Sequence, residues 1–273
     1  MKKILILGGS GFIGNKLYKE LNKFYKTFST YNILDKNKKN NQFFYFKMEE
    51  LNLNIILNKI KPNIIISSLR GDFEIQIKIH REIYTYVKNN NCKIIFLSSS
   101  NVFDTFRHYP SYEYDKTFSE SPYGIFKIKI ENLLLKLPVE KFVIARLPMI
   151  WGINSPRIKE IERKINKMRP IEVYPNTIIN VNIINKLCQQ ILYIINNKKN
   201  GIFHLGSFDL IYHDDFIKKI IKKNFIKKAI FKFVYSSNKE RYIATLPKEN
   251  KLPEHLNISC AEVIDSLSLK KNK

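Results

Sequence analysis

A short apolar segment near the start of the chain runs directly into a loop with a glycine at every third position. The segment Ile4–Leu7 predicts a buried strand, and the loop Gly8–Gly14 reads Gly-Gly-Ser-Gly-Phe-Ile-Gly. Apolar residues then recur at intervals of three and four, as on a helix face packed on a sheet; they are Ile13, Leu17, Leu21 and Phe24. A strand, a glycine turn and a helix in this order bring free N–H groups and the positive end of the helix together. The sequence therefore predicts a site for a dinucleotide diphosphate at the start of this helix.

Strand and helix patterns alternate through the first two thirds of the chain, which predicts βαβ units and a parallel sheet. After Ile4–Leu7 the expected strands are Lys26–Asn32, Phe43–Phe46, Asn63–Ser67, Lys93–Ser98, Phe142–Arg146 and Gly201–Leu205. After the glycine loop the expected helices cover Ile75–Val87, Pro122–Lys136, Arg157–Met168, Ile184–Ile195 and Phe216–Ile221. The predicted fold class is α/β, a Rossmann-type doubly wound parallel sheet with a smaller C-terminal lobe. Residues 1–150 would form the dinucleotide-binding domain and residues 178–206 would return to it. Residues 151–177 and 207–273 would form the substrate-binding lobe.

Length and composition exclude several classes of protein. The 273 residues suffice for a large core, and 44% of them are hydrophobic, as in globular proteins. No apolar run approaches the roughly 20 residues of a membrane span. Lys2 and Lys3 precede an apolar stretch that is too short for the core of a signal peptide. We therefore expect a cytoplasmic protein with no membrane span.

The net charge of +23 could indicate a nucleic-acid partner, but the basic residues are dispersed along the chain. We expect no nucleic-acid partner, and a surface that attracts small anions. The three cysteines, Cys92, Cys188 and Cys260, are far apart and match no metal-binding spacing. We predict buried, reduced thiols and no metal.

Polar residues that could take part in catalysis follow two of the predicted strands, and others lie at the start of a predicted helix. Ser67-Ser68 and Ser98–Ser100 follow strands, and ligands of open parallel sheets bind at that edge. Tyr123 and Lys127 are four residues apart and so share one helix face. A phenol has a pKa near 10, and a nearby ammonium favours the phenolate and lowers that pKa. With a serine hydroxyl on the same oxygen, such a pair could move a proton while a nicotinamide exchanges a hydride.

The order of these motifs resembles the extended, sugar-nucleotide branch of the short-chain dehydrogenase/reductase superfamily, and within it the dTDP-4-dehydrorhamnose reductases. The resemblance covers nearly the whole chain. The segments that carry it are Gly8–Gly14, Phe28–Tyr31, Phe96–Asp104, Ser121–Gly124 with Lys127 and Glu131, Arg146–Pro148 with Trp151-Gly152, and Gly201–Leu205. It implies NAD(P)H-dependent reduction of a 4-keto group on a nucleotide-linked deoxysugar.

The resemblance also implies roles for single residues. Tyr123 would be the general acid, Lys127 would hold the nicotinamide ribose and tune Tyr123, and Ser99 would orient the keto oxygen. The serine run leaves Ser98 and Ser100 open as alternatives to Ser99. The expected cofactor contacts are Gly8, Ser10, Gly11, Phe12, Ile13, Gly14, Thr30, Tyr31, Met48, Ser67, Ser68, Leu69, Tyr123 and Lys127. The expected substrate contacts are Arg70, Ser100, Asn101 and Arg157, with Lys159 and Arg163 as further candidates for the diphosphate.

Departures from the family pattern bear on the reaction and the cofactor. The 4,6-dehydratases of the branch place an Asp-Glu pair where this chain has Ser100 and Asn101, so dehydration is disfavoured. Two alternatives stay open: a nucleotide-sugar 4-epimerase with bound NAD, and a non-catalytic dinucleotide-binding regulatory relative. The second strand ends without an acid to bind the NAD ribose. Asp35 is expected in the following loop, and Lys36 and Lys38 nearby suit a 2′-phosphate. We predict NADP, with NAD as the alternative, and a homodimer.

Overall fold

The computed structural model describes residues 1–32, 40–50, 53–105, 108–225, 228–235 and 238–267. Its strands are β1 (Lys3–Leu7), β2 (Lys26–Tyr31), β3 (Phe43–Tyr45), β4 (Ile64–Ser67), β5 (Lys93–Ser99), β6 (Phe142–Leu147), β7 (Met149–Trp151), β8 (Ile171–Val173), β9 (Thr177–Ile179), β10 (Val181–Ile183), β11 (Gly201–His204), β12 (Ile211–Tyr212), β13 (Phe231–Phe233) and β14 (Arg241–Ile243). Its helices are α1 (Phe12–Leu21), α2 (Leu53–Ile60), α3 (Phe73–Asn89), α4 (Pro122–Leu134), α5 (Pro156–Asn166), α6 (Ile184–Asn196), α7 (His213–Asn224) and α8 (Cys260–Ser266).

The central sheet has seven strands in the order β11-β6-β5-β4-β1-β2-β3, and every pair in it is parallel. Strand β1 lies between β4 and β2, where Leu5 is opposite Phe28 of β2 and Ile65 of β4. The order of the strands along the chain reverses at this point, which is where open α/β sheets bind their ligands. The Rossmann-type parallel sheet expected from the sequence is confirmed.

Helices cover both faces of this sheet, and successive residues of β1 contribute to two different cores. Ile4 and Ile6 pack with α1 and α6, whereas Leu5 and Leu7 pack with α2, α3 and α4. A strand buried on both faces has to be apolar throughout, which explains the unbroken run at the start of the chain. Phe24 is an exception to the expected helix face, because α1 ends at Leu21 and leaves Phe24 57% exposed.

A third core lies among the shorter strands and the later helices. It gathers Trp151, the buried faces of α5 and α7, and Val263 of α8. Around it, β7 pairs with β10, β8 with β13, and β9 with both β12 and β14. Strand β11 lies in the central sheet beside β6, and α6 packs on α1. The division of the chain into two domains stays a prediction.

The predicted central strands and the helices singled out in the sequence are present, mostly with ends within one or two residues of the expected ones. Helix α2 and the two- and three-residue strands of the small sheets were not anticipated. Cys92, Cys188 and Cys260 are buried free thiols, as predicted. Within the described ranges, we find no helix that has both the length and the apolar character needed to cross a bilayer.

Glu113 joins the loop before α4 to a distant part of the chain. Its carboxylate accepts backbone N–H groups of residues 248, 249 and 250, at 2.9 to 3.3 Å. Nearby, Ser111 forms a bridge with Thr245. The Glu113 carbonyl in turn accepts from Arg146 of β6 at 2.7 Å. Segment 245–250 is therefore fastened both to this loop and, through the loop, to the central sheet.

Candidate active site

A cleft of about 1100 Å³ opens at the carboxyl ends of β1, β4 and β5. One wall consists of the first turn of α1, the residues after β4 and β5, and the start of α4. The other wall comes from α5, the strands β8 and β9, and the start of α7. The cleft therefore lies between the central sheet and the third core, at the edge where the sequence placed the ligand.

The glycine loop closes tightly under this cleft. Gly8 has φ = +86°, a conformation that favours glycine, and a Cβ there would lie 2.7 Å from the Ser68 carbonyl oxygen. A Cβ on Gly14 would lie 2.3 Å from the Gly8 carbonyl oxygen. No side chain caps α1, so its first-turn N–H groups face a cleft lined by Gly11, Phe12, Ile13 and Gly14. An uncapped helix end reached by bare backbone fits the diphosphate of a dinucleotide.

Several other residues that were expected to bind the cofactor do not line the cleft in the part of the chain that the structure describes. The Thr30 hydroxyl accepts the Gly8 N–H at 3.0 Å, and the Ser67 hydroxyl bonds the His80 ring at 2.9 Å. Tyr31 and Met48 are buried, and Ser10 is exposed. Ser68 and Leu69 do line the cleft. The prediction of NADP over NAD used Asp35, Lys36 and Lys38. These three residues lie outside the described residues.

The three consecutive serines after β5 have different partners. Ser98 donates to the buried Glu131 carboxylate. Ser99 donates to the Asn101 side-chain oxygen at 3.0 Å, and its hydroxyl also acts on the charge of the Tyr123 phenol. Ser100 is buried at the start of a 3₁₀ turn and lines the cleft. Of the three, Ser99 is the one placed beside Tyr123.

The start of α4 is held in place by a cluster of hydrogen bonds. Ser121 caps the helix by accepting the Gly124 N–H at 3.0 Å, and Pro122 occupies the first turn, where no N–H is required. Asp104 accepts hydrogen bonds from both Ser119 and Ser121. A Cβ on Gly124 would collide with the Ser119 hydroxyl, at 1.9 Å. This close packing fixes the turn that carries Tyr123.

Tyr123 stands in the cleft wall with 39% of its surface exposed. Partial burial raises the pKa of its phenol, while the Ser99 hydroxyl and the positive charges of Arg70 and Arg157 act to lower it. The raising effect is the larger in this structure. The phenol therefore keeps its proton at neutral pH and can donate it. The lowering of the Tyr123 pKa by Lys127 stays a prediction.

Lys127 lies behind Tyr123, 6% exposed, with its Nζ 5.7 Å from the centre of the Tyr123 ring. Its Nζ donates to the Leu97 carbonyl oxygen at 2.9 Å and also lies over the Phe96 ring. Burial lowers the pKa of Lys127 to about 8, against the opposing effect of Glu131. Lys127 lines the cleft, so its remaining N–H groups could serve a ligand there.

Two arginines, one from each wall, bring positive charge to the cleft. Arg70 follows β4 and Arg157 opens α5; both line the cleft and each acts on the charge of Tyr123. Asn101 lines it too. Lys159 is not part of the described wall, and Arg163 pairs with Glu160 on the helix surface at 2.8 Å. The cleft can therefore hold an anion near Tyr123.

Sequence reasoning missed several cleft residues of the third-core side. Tyr174, His213 and Arg241 are among them. The Tyr174 N–H donates to His213 Nδ1 at 3.3 Å, and the two rings meet edge to face. Burial lowers the pKa of His213 to about 4, so the ring is neutral at working pH. These residues come from short strands and helix ends that leave no periodic signal.

A Rossmann-type sheet with this glycine loop, and with serine, tyrosine and lysine meeting in its cleft, defines a short-chain dehydrogenase/reductase of the extended type. Comparison with family models then gives the family. The chain belongs to the RmlD substrate binding domain family, whose model matches residues 1–253.

Solved structures support the same fold. A dTDP-4-dehydrorhamnose reductase from Yersinia enterocolitica has a TM-score of 0.78 at 18% identity, covering 98% of this chain and 99% of that one. A dTDP-4-dehydrorhamnose reductase from Bacillus anthracis in complex with NADP has 0.74 at 19% identity, covering 98% of both. A UDP-glucuronic acid 4-epimerase from Bacillus cereus in complex with NAD has 0.73 at 18%, covering 97% of this chain and 96% of that one. No curated protein matches the chain in sequence.

Proposed function

We propose that this protein is an NADPH-dependent reductase of a 4-keto group on a nucleotide-linked deoxysugar. The observation that carries the proposal is the meeting of Ser99, Tyr123 and Lys127 in a cleft whose other end is the uncapped start of α1. Family membership supports the substrate class, and the NADP complex of the Bacillus anthracis relative supports the cofactor. NAD is the alternative, as in the Bacillus cereus epimerase.

One set of cleft residues is suited to bind the cofactor, and another set is suited to bind the substrate. When bound, the nicotinamide supplies the hydride that reduces the carbonyl carbon. The first-turn N–H groups of α1 bind the diphosphate, and Lys127 donates to the ribose. Arg70 and Arg157 face the substrate, and these arginines are suited to its diphosphate.

Tyr123 gives its proton to the keto oxygen as the carbon accepts the hydride, so that the product is a neutral alcohol. The raised pKa of Tyr123 suits this direction, because the phenol enters the reaction protonated. Ser99 lies beside the phenol and orients the same oxygen. A 4-epimerase begins instead by removing a proton from a sugar hydroxyl, for which a protonated Tyr123 is poorly prepared.

Turnover of the full chain with NADPH and a panel of nucleotide-linked 4-keto sugars tests the proposal. We expect one NADPH oxidised for each sugar reduced. Tyr123→Phe should lower kcat by about 10²- to 10⁴-fold, the usual contribution of a positioned acid, while NADPH still binds. Tyr86→Phe is the matched control, since burial raises the pKa of that phenol too but it lies on α3, outside the cleft wall.

Other outcomes would overturn the proposal. Interconversion of nucleotide sugars without net use of NADPH would indicate an epimerase. Tight NADPH binding with no turnover, and no effect of Tyr123→Phe, would indicate a non-catalytic relative. A homodimer and a cytoplasmic location remain predictions from the sequence; sedimentation of the purified chain tests the first and fractionation of cells the second.

A further inference from the structure

The hydroxyl of Ser99 has its hydrogen-bonding capacity committed before any substrate arrives. It donates its single proton to Asn101 Oδ1 at 3.0 Å, and it accepts the Asn101 backbone N–H at 3.2 Å. A serine hydroxyl has one proton to give and two lone pairs to receive with. One lone pair remains, and Ser99 also acts on the charge of the Tyr123 phenol. The proton that would orient a keto oxygen is therefore already in use.

Asn101 is itself fixed relative to the helix that carries Tyr123. Its carbonyl oxygen accepts the Asp104 N–H at 3.3 Å. The same oxygen lies 2.4 Å from the place of a Cβ on Gly124, so it packs directly against the first turn of α4. Ser99 and Asn101, at the end of β5, thus lie directly against the turn of α4 that carries Tyr123.

We propose that Asn101 is a positioning residue that holds the hydroxyl proton of Ser99 in the resting site and competes with the substrate keto oxygen for it. This inference rests on the proposed function, because it concerns how Ser99 is made ready for that reaction. Ser99 donates to the substrate only when it releases Asn101 Oδ1. A stronger hydrogen-bond acceptor at position 101 therefore makes Ser99 donate less readily to the substrate keto oxygen.

Two substitutions of Asn101 in the full chain test this competition. Asn101→Asp places a charged, stronger acceptor on the Ser99 proton, and kcat should fall by about 10- to 100-fold with the KM for NADPH unchanged. Asn101→Ala removes the acceptor but keeps the backbone N–H bond to Ser99, so kcat should stay within about threefold of wild type or rise. Asn197 is exposed at the end of α6, so Asn197→Asp and Asn197→Ala are the controls. They measure the effect of an added charge and of a lost side chain.

A second measurement needs no turnover. The ring-carbon NMR signal of Tyr123 in ¹³C-tyrosine-labelled protein, assigned with Tyr123→Phe, reports the pKa of that phenol. In Asn101→Ala the freed Ser99 proton can donate to the phenolate, so the Tyr123 pKa should fall below the wild-type value. In Asn101→Asp that pKa should rise above it.

The outcomes separate this inference from the function it rests on. A tenfold or larger loss of kcat in Asn101→Ala with an unchanged Tyr123 pKa would overturn it, since Asn101 would then serve the substrate directly or only support the fold. Equal kcat and equal Tyr123 pKa in all three proteins would also overturn it. If the wild type reduces no keto sugar, the proposed function fails, and the order of the Tyr123 pKa values alone decides whether Asn101 holds the proton.

Discussion

Arg146 and Glu131 form an ion pair in the interior of the molecule: Nη2 lies 2.7 Å from Oε2, with 2% and 1% of the two side chains exposed. The guanidinium also donates to Glu131 through Nε, and Ser98 donates to the same carboxylate. Removing one partner of a buried pair leaves the other charge without compensation. The pair thus joins β6 to α4, directly behind the cleft.

Glu131→Gln should therefore lower the free energy of unfolding by about 3–5 kcal/mol, measured by urea titration. Asp265→Asn is the matched control, because Asp265 pairs with Lys223 at 2.6 Å but is 74% exposed. That change should cost less than about 1 kcal/mol. Equal losses in the two variants would show that burial of the Glu131 pair does not determine its contribution.

Gly14→Ala should weaken NADPH binding at least tenfold. The added Cβ would lie 2.3 Å from the Gly8 carbonyl oxygen and 2.7 Å from the Ser68 hydroxyl, so the loop has to move away from the start of α1. Gly11→Ala is a graded comparison, since its Cβ would meet the same carbonyl at 3.2 Å. Fluorescence titration with NADPH gives both affinities. A Gly14→Ala protein that binds as tightly as Gly11→Ala would contradict the role given to this close contact.

The value of kcat/KM for NADPH should fall as the pH rises through about 8. Burial lowers the pKa of Lys127 to about 8, so the ammonium is present below that pH and lost above it. The loss removes the positive charge and one N–H donor from the cofactor side of the cleft. Values of kcat/KM for NADPH at a series of pH values, in a buffer of constant ionic strength, measure this decrease. Lys127→Arg, whose side chain stays charged, should show lower activity and no decrease near pH 8.

Acid should destabilise the protein between about pH 6.5 and pH 4 through its buried histidines. His80 bonds Ser67 with one ring nitrogen and the Gln76 carbonyl with the other, and burial lowers its pKa to about 4. The unfolded chain takes up a proton near pH 6.5, so in this window it binds more protons than the folded chain. The free energy of unfolding then falls with falling pH, by up to about 1.4 kcal/mol per pH unit for each such histidine.

His80→Gln should reduce the slope of this acid loss, because one of the buried histidines is gone. Urea titrations at several pH values from 7 to 4 measure the slope for each protein. His255→Gln, at an exposed position near the end of the chain, is the control. Parallel slopes for wild type and His80→Gln would contradict the assignment of this acid sensitivity to His80.

Most strands of the central sheet were predictable because they are buried on both faces and contain unbroken apolar runs. Residues 64–66 and 94–97 are such runs. Helix α2 carried a signal too, since Leu53, Ile56, Leu57 and Ile60 are its buried positions at helical spacing. The exposed Ile55 interrupts that pattern. The two- and three-residue strands of the small sheets are too short for any periodicity, so tertiary pairing alone defines them.

The candidate site was predictable as a set of residues but not as a set of interactions. The spacing of Tyr123 and Lys127 placed both on one helix face. It could not show that Lys127 Nζ donates to the Leu97 carbonyl, nor that burial outweighs nearby charges at the phenol. Those facts depend on depth in the cleft. The pairing of Glu131 with Arg146 depends likewise on β6 lying beside β5.

Because of the contacts of Glu113, the protein needs a longer stretch of chain than the one that contains its cleft residues. The wall of the cleft ends, in sequence, at Ile243. A protein shortened at residue 247 would keep that entire wall, yet it would lose the three backbone N–H groups that anchor the Glu113 carboxylate. The freed loop would then loosen its carbonyl contact with Arg146. Any minimal version of this protein has to extend past the last residue that touches a ligand.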